Sequence, residues 1–326
     1  MQDKELSEQA TKAACYAGID VSKDWLDICV LPAGETRRMA NSAAGIRALG
    51  QWLKARRPRA IVLEATGKWH RPAHRSLHAG GLPVAVADPY RVRQFAKASG
   101  IVAKTDRLDA RVLARFAEVM APPVRPPAPQ AREDLAELVT AREAAVAEQT
   151  ALKNQRVAAA SAFLRAQLGR RINALDRHVA ALERECLRCA QADDAMARRF
   201  EILVSIPAIG PITALTLIAE LGELGACTSK QIGQLTGLAP IANESGQRQG
   251  VRVIRGGRPK LRRVLYLAAI AAARCNPDLA ALYKRLRASA KPPKLALVAV
   301  ARKLAILANT LISQGRNWTP KPPKHA

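Results

Sequence analysis

The sequence predicts an α/β fold for residues 16–120 and an all-α fold for most of the remainder. Short apolar runs alternate with amphipathic stretches in the first part, which is the pattern of strands and helices in turn. Residues 132–199 hold no proline and one glycine, Gly169, so they predict long helices. Five prolines between positions 122 and 129 separate the two parts and predict a stiff, extended linker.

The order of elements in the α/β part predicts a mixed sheet flanked by helices. Three strands precede the first helix, after which helices and strands alternate. We expect strands at Tyr16–Val21, Trp25–Leu31, Thr36–Asn41, Ala60–Leu63 and Pro83–Ala87, and helices at Ala43–Arg56, His70–Ala79 and Asp106–Met120.

The helical part is expected to begin with a coiled-coil region, because apolar residues recur there with heptad spacing. This seam consists of Leu168, Ile172, Leu175, Val179, Leu182, Cys186 and Cys189. A zinc site at the two cysteines would need two further ligands nearby, so core packing is the favoured interpretation. The predicted organisation is a flexible N-terminus (1–15), an α/β domain (16–120), a Pro-rich linker (121–130), a coiled-coil region (131–199), a helical domain (200–314) and a basic tail (315–326).

Residues 206–213, Ile-Pro-Ala-Ile-Gly-Pro-Ile-Thr, predict a tight turn that leads into an apolar helix. The pattern resembles a helix-hairpin-helix, in which the N–H groups at the start of the second helix can hold a phosphate. A plain packing corner between two helices explains the same residues equally well.

The charge balance predicts a polyanionic partner. The chain of 326 residues has 52 Lys and Arg against 27 Asp and Glu, a net charge of +25. Residues 246–326 contain 18 of these cations and a single acid, Asp278, which favours nucleic acid over an acidic membrane. Aromatic residues make up only 4% of the chain, so contacts of Arg and Lys with phosphates are expected to dominate over base stacking.

The remaining composition predicts a cytoplasmic protein. No apolar run reaches the roughly 18 residues of a membrane span, and the N-terminus lacks a basic-then-apolar signal. Six cysteines in a chain of this length do not form the pattern of a secreted disulfide framework, so we expect them to be reduced.

Four acidic residues in the α/β part predict a metal-assisted active site. Asp20 and Glu64 each follow an apolar strand, where a charge is costly unless it is paired or binds a metal. Asp106 and Asp109 share one face at the start of a helix. That second pair alone fits acids favoured by the helix dipole after a Thr105 cap. All four together predict a site for Mg²⁺, because gathered like charges need a cation.

Ser245 stands in a glycine-bounded loop, Gly237 to Gly246, and seven cations follow that loop. A serine in this setting can attack a phosphodiester while the cations bind the phosphates. An ordinary Asn-Glu-Ser-Gly turn explains the loop as well, and from the residues alone it is the stronger interpretation. The candidate nucleic-acid-binding cations are Arg248, Arg252, Arg255, Arg258, Lys260, Arg262 and Arg263.

Taken together, these motifs resemble the transposases of bridge-RNA-guided insertion sequences of the IS110 type, a group related to the Piv-type DNA invertases. The resemblance rests on Gly-Ile-Asp20, Leu-Glu64-Ala-Thr-Gly and Thr-Asp106-Arg-Leu-Asp109-Ala in the first part. In the second part it rests on Ile-Pro-x-Ile-Gly at 206–210 and on Gly-Leu-x-Pro…Ser-Gly at 237–246. One departure is Arg255 before the glycine pair, where the family usually has Lys.

The resemblance implies a RuvC-like (RNase H-like) domain whose Asp-Glu-Asp-Asp set holds Mg²⁺, and a transposase domain whose Ser245 forms a covalent phosphoserine with DNA. It also implies a structured bridge RNA that pairs with target and donor DNA, and a homodimer that assembles to a tetramer. In that assembly the serine domain of one subunit meets the acidic site of another, and the seam at 168–189 is a candidate dimerisation element.

Two alternatives to this function remain open from the residues. In a metal-dependent nuclease or junction resolvase the acids would activate water, and Ser245 would be only a turn. In a non-catalytic nucleic-acid-binding scaffold the acids would be degenerate. His70, His74 and His78 recur on one helical face, and exposed or phosphate-contacting histidines are favoured there over a metal site.

Overall fold

The computed structural model describes residues 14–65, 67–101, 106–241, 244–245, 248–249 and 252–320. The chain divides into a first unit that ends at Pro127 and a second that begins at Ala128, so the division falls within the proline-rich segment. The predicted flexible N-terminus lies outside the described residues up to position 13, and the end of the predicted basic tail does so from 321 onward.

The first unit is an α/β structure built on a five-stranded sheet. Its strands are β1 (Tyr16–Val21), β2 (Trp25–Leu31), β3 (Glu35–Ala40), β4 (Ala60–Glu64) and β5 (Val84–Ala87). Its helices are α1 (Ala43–Arg56), α2 (His70–Ala79), α3 (Pro89–Ala98) and α4 (Asp106–Met120).

The sheet has the order β3-β2-β1-β4-β5. Strands β1, β2 and β3 are antiparallel neighbours, whereas β4 and β5 run parallel to β1. This mixed sheet confirms the α/β prediction. Side chains alternate along β1: Ala17 and Ile19 pack with α1 and α2 on one face, and Gly18 faces α4 on the other.

Helix α3 is absent from the sequence prediction, although its start carries clear signals. The Asp88 side chain accepts a hydrogen bond from the Arg91 N–H at 3.1 Å, and Pro89 occupies the first helical turn. Val92 anchors the helix in the core beneath α4. With one buried residue in ten, the helix shows too little apolar periodicity to stand out in the sequence.

The second unit is dominated by helices, as predicted. They are α5 (Gln130–Ala158), α6 (Ala162–Gln191), α7 (Asp194–Val204), α8 (Pro211–Glu220), α9 (Ser229–Leu235), α10 (Pro259–Cys275), α11 (Pro277–Ala288) and α12 (Pro293–Gln314). Four two-residue strands lie between α9 and α10: β6 (Pro240–Ile241), β7 (Glu244–Ser245), β8 (Arg248–Gln249) and β9 (Val253–Ile254).

The predicted heptad seam packs inside this chain. Helices α5 and α6 form an antiparallel hairpin, in which Leu152 near the end of α5 contacts Leu168 and Ile172 near the start of α6. At the other end of the hairpin, Cys186 lies in the main core. The cysteines are therefore packing residues, as expected, and none of the six forms a disulfide. Because α5 covers the seam, its use between subunits would require the hairpin to open.

Helix α12 corrects the statement that no apolar stretch of the sequence is long enough to span a membrane. It is 22 residues long and apolar enough to cross a membrane by length and composition, although Arg302 and Lys303 interrupt its apolar run. In the structure, Val300, Leu304 and Leu311 are buried in the core of the second unit. The apolar character of this helix is thus accounted for by packing against the other helices.

The turn before α8 is also part of this core. Ile206 and Ile209 are almost fully buried, and Ala208 adopts a positive φ of 84° between them. Pro211 begins α8, whose residues 214–219 are all buried. The packing corner accounts for these apolar residues, and a phosphate-binding role for the turn stays a prediction.

Candidate active site

Asp20 and Glu64 lie side by side at the ends of two parallel strands. Ile19 of β1 is in register with Leu63 of β4, so the next residues along, Asp20 and Glu64, are neighbours. Val62, two residues before Glu64, packs under α4, and side chains two apart share a face of a strand. Both carboxylates are half-buried and belong to the face of the sheet that α4 covers.

Gly18 brings α4 onto this face. A Cβ at Gly18 would lie only 2.2 Å from the Ala110 carbonyl oxygen and 2.2 Å from the Ala114 nitrogen, so no larger residue fits. Asp109, half-buried, is adjacent to Ala110 on α4 and therefore lies near the end of β1 that carries Asp20. The fourth predicted acid, Asp106, begins α4, but its side chain lies outside the described part of the structure.

The donor chemistry of these acids suits a hard divalent cation, which prefers carboxylate oxygens. Within the described residues, however, no group of three or more His, Cys, Asp or Glu side chains is arranged to hold a metal. Asp20, Glu64 and Asp109 are thus not gathered into a metal-holding group in the described structure, and the metal site stays a prediction.

A fifth carboxylate, Asp27, was missed by the sequence analysis. It lies directly across from Asp20 on β2, and it is 7% exposed. Arg38 lies across from Asp27 on β3 and donates two hydrogen bonds to it, from Nε at 2.8 Å and from Nη2 at 2.9 Å. The available signal was a single acid within the otherwise apolar strand Trp25–Leu31.

Glycines close the base of the segment that carries Ser245. A Cβ at Gly257 would lie 2.2 Å from the Gly237 nitrogen, and both glycines have positive φ angles, 61° and 65°. Above this contact β6 pairs with β9, and β7 pairs with β8, where Ser245 is opposite Arg248. The glycine-bounded loop of the sequence prediction therefore contains β6 and β7 and begins at the contact between Gly237 and Gly257; the side chains of Ser245 and Arg248 are outside the described set.

A cationic cleft of about 700 Å³ adjoins Gly257 and strand β6 at the base of this segment. Pro240 and Ile241 of β6 form one wall, and Lys230, Arg255 and Arg302 contribute the charge. The Nε atom of Arg302 is buried and has no hydrogen-bond partner among the residues that the structure describes. Of these three cations, the sequence analysis predicted only Arg255 as a nucleic-acid-binding residue. The sequence signal that could have indicated Arg302 is its charge within an otherwise apolar helix.

Four of the seven predicted cations hold the second unit together. Arg258 donates to both carboxylate oxygens of Glu223, at 2.9 and 2.7 Å, and Lys260 lies 2.7 Å from Glu220. Arg263 pairs with Glu143, and Arg262 donates to the Gly256 carbonyl oxygen at 3.0 Å.

The acidic partners raise the pKa of two of these groups. Burial acts to lower the pKa of Arg258, but the hydrogen bonds and charge of Glu223 raise it above its usual value. For Lys260, burial likewise acts to lower the pKa, and Glu220 and Glu143 raise it. These side chains meet internal acids, whereas Arg252 and Arg255 are exposed.

The histidine row is not the exposed face that we expected. His74 is 8% exposed, its Nε2 lies 3.0 Å from the carbonyl oxygen of Arg125, and its ring packs edge-on against His78. This correction follows from packing: the helix that carries the row is covered on that side by the segment that follows α4. Within the row, His74 contacts the backbone of the segment after α4.

Two transposase family models match the chain. The model for IS110 transposases with a DEDD set, described as "Transposase", matches residues 17–162, and the model described as "Transposase IS116/IS110/IS902 family" matches residues 200–284. The chain belongs to the IS110 family of transposases. The IS110-family assignment confirms the resemblance drawn from the motifs and makes the protein a DNA transposase or recombinase.

Individual relatives of this IS110-family chain include a DNA-inverting protein. The pilin gene-inverting protein of Moraxella bovis is 26% identical over 312 residues, which cover 92% of this chain and 96% of that protein. The insertion element IS110 uncharacterized 43.6 kDa protein of Streptomyces coelicolor is 29% identical over 37% of this chain and 31% of its own length. Among solved structures, T. thermophilus RuvC in complex with a Holliday junction substrate matches 33% of this chain and 96% of its own, at 19% identity and a TM-score of 0.27.

Proposed function

We propose that this transposase is an RNA-guided DNA recombinase in which Ser245 attacks a DNA phosphodiester. The observation that supports the proposal is that two structural features occur together in this transposase. In the first unit Asp20 and Glu64 end two neighbouring strands that helix α4, the carrier of Asp109, packs against, and in the second unit β7 carries Ser245 within a segment whose glycine-closed base adjoins a cationic cleft. A plain turn needs neither the clamp nor the cleft.

The chemistry is a transfer that conserves the number of phosphodiester bonds. The Ser245 hydroxyl loses its proton, its oxygen forms a bond to phosphorus, and the bond from phosphorus to the leaving sugar oxygen breaks. The leaving oxygen takes up a proton. A hydroxyl of the second DNA strand then attacks the phosphoserine, and the serine is released unchanged. Strands are exchanged without net hydrolysis.

The charged residues have separate roles in this scheme. Lys230, Arg255 and Arg302 bind the phosphate and offset the charge that builds on its oxygens. When a divalent cation is bound, which we propose to be Mg²⁺, it supplies Lewis acidity at the reacting oxygens. Asp20, Glu64, Asp106 and Asp109 would hold that cation, in a domain that we propose to be RuvC-like.

The proposed partners are target and donor DNA together with a structured bridge RNA. A protein of +25 net charge and 4% aromatic residues is suited to hold nucleic-acid backbones while base pairing reads the sequence. We further propose that dimers assemble to a tetramer. In this tetramer the second unit of one subunit, which carries Ser245, would act together with the first unit of another subunit, which carries the four acids. Because α5 covers the heptad seam, this assembly is expected to use other surfaces.

The test is to capture the covalent intermediate. Purified protein with its co-purified RNA is incubated with Mg²⁺ and a nicked target duplex, and protein–DNA adducts are separated on a denaturing gel and mapped by mass spectrometry. We expect an adduct at Ser245 that is absent from Ser245→Ala and from Asp20→Asn. Ser229→Ala, an exposed serine of the same unit, is the matched control and should form the adduct normally.

Other outcomes identify the alternatives. Cleavage with net hydrolysis and without an adduct would show a metal-dependent nuclease or junction resolvase. Binding that is insensitive to Mg²⁺, with no strand breakage under any divalent metal, would show a non-catalytic scaffold. Recombination retained by Ser245→Ala would refute the serine mechanism.

A further inference from the structure

Four charged residues form one cross-strand row on the α4 face of the sheet. Glu64 and Asp20 are neighbours on β4 and β1, Asp27 follows on β2, and Arg38 ends the row on β3. Residues directly opposite each other on adjacent strands share a face. Three strand positions carry acids, and the fourth, at the edge of the sheet, carries a cation.

The Asp27–Arg38 pair is built differently from a surface ion pair. The Asp27 side chain is 11% exposed, whereas that of Arg38 is 49% exposed. The buried carboxylate therefore fixes the position of the half-exposed guanidinium through two parallel hydrogen bonds. The Trp25 ring lies 6.0 Å from the guanidinium carbon and further restricts its position.

The space above this arginine is a cleft of about 220 Å³. Its floor is formed by Asp27, Thr36 and Arg38, and its wall by Ala110 of α4. Helix α4 packs across β1, β2 and β4, while most residues of β3 are exposed. The cleft thus lies at β2 and β3, beside the acidic row.

We propose that Arg38 binds a phosphate of the DNA strand that lies over the acidic row, and that Asp27 positions the guanidinium for this contact. Neighbouring strands are about 4.8 Å apart, so β3 is roughly 10 Å from β1. At about 3.4 Å of axial rise per nucleotide, the contacted phosphate would lie about three nucleotides from the one that reacts near the acidic row. This inference rests on the proposed function, since it takes the acidic row as the place where DNA reacts.

The chain offers a matched control in the preceding residue. Arg37 has the same charge and lies on the same strand. It also lines the cleft, but its guanidinium carbon lies 5.2 Å from the Trp52 ring of α1, on the other face of the sheet. Removal of either arginine lowers the net charge by one. A difference in DNA binding between the two variants therefore reflects the position of the arginine and not the total charge of the protein.

The first measurement is the salt dependence of affinity of the full chain for a duplex of about 30 base pairs. Each phosphate contact contributes about 0.9 to the slope of log affinity against log salt. From 50 to 200 mM salt, Arg38→Ala is expected to lose about threefold less affinity than the wild type, and Arg37→Ala to behave as the wild type. Arg38→Lys should keep the wild-type slope, because a point charge still meets the phosphate.

The second measurement is the Ser245 adduct assay on the same variants. Arg38→Ala and Asp27→Asn should form the adduct more slowly, by about tenfold, while Arg37→Ala forms it at the wild-type rate. An absent wild-type adduct would refute the serine mechanism, and the salt slopes would still decide the role of Arg38. Equal slopes and equal adduct rates for Arg38→Ala and Arg37→Ala would overturn this inference, whether or not Arg38→Ala lowers the melting temperature.

Discussion

Replacement of Gly18 by alanine is the most direct test of how the fold positions the acidic site. The added Cβ would lie 2.2 Å from both the Ala110 oxygen and the Ala114 nitrogen, whereas ordinary contact needs about 3.5 Å. Both atoms belong to the backbone of α4, so no side-chain rotation can relieve the clash. The helix must move away from β1 by about 1 Å, and Asp109 must move with it.

Two consequences should be separable. Overpacking of this kind costs about 1–3 kcal/mol, so the melting temperature of Gly18→Ala should fall by roughly 5–10 °C. A displacement of about 1 Å in a reacting assembly costs about 10²-fold in rate, so adduct formation should fall by that factor at a temperature where circular dichroism shows a folded protein. Gly50→Ala is the control, because its Cβ would meet only a Leu77 side-chain carbon at 3.6 Å. Adduct formation by Gly18→Ala within twofold of Gly50→Ala would refute the reasoning.

Three further predictions concern the second unit. Arg258→Ala removes a partly buried ion pair and should lower the free energy of unfolding by about 1–3 kcal/mol. Arg255→Ala should leave that free energy unchanged and weaken DNA binding, because Arg255 lines the cationic cleft. Equal unfolding curves for the two variants would contradict these separate roles. Asn309→Ala leaves a partly buried N–H and a partly buried carbonyl without their present partner, at a cost of about 1–3 kcal/mol measurable by urea unfolding, and a midpoint unchanged from the wild type would count against it. Burial raises the pKa of Cys186 to about 11, so iodoacetamide at pH 8 should label exposed Cys275 in the folded protein and reach Cys186 only on unfolding.

The same pKa shift makes the free energy of unfolding depend on pH. The folded state holds the Cys186 proton more tightly than the unfolded state does, because burial disfavours the thiolate. The resulting contribution is fully present below pH 9 and is lost as the pH rises toward 11. Cys186→Ala should therefore show a smaller loss of stability over this interval than the wild type.

Most elements of the first unit could be predicted because their signals are local. Two short, mostly apolar runs separated by a Ser-Lys-Asp turn mark β1 and β2, and the spacing of Ile46, Leu49 and Leu53 marks α1. Helix α3 escaped prediction because packing through Val92, and not periodicity, defines it. The histidine row was misjudged for a related reason: its burial depends on Arg125, which lies 51 residues after His74.

By itself, the sequence determined the order of the elements, the acids at the strand ends, the basic composition and the motifs of an IS110 transposase, since each is a property of short segments. Only the tertiary structure decided that Asp27 and Arg38 join the acidic row, that α5 covers the heptad seam, and that Arg258 pairs with Glu223. Strand register and ion pairing join residues far apart in the chain, and their free energies depend on which groups the whole fold brings together in a low-dielectric setting.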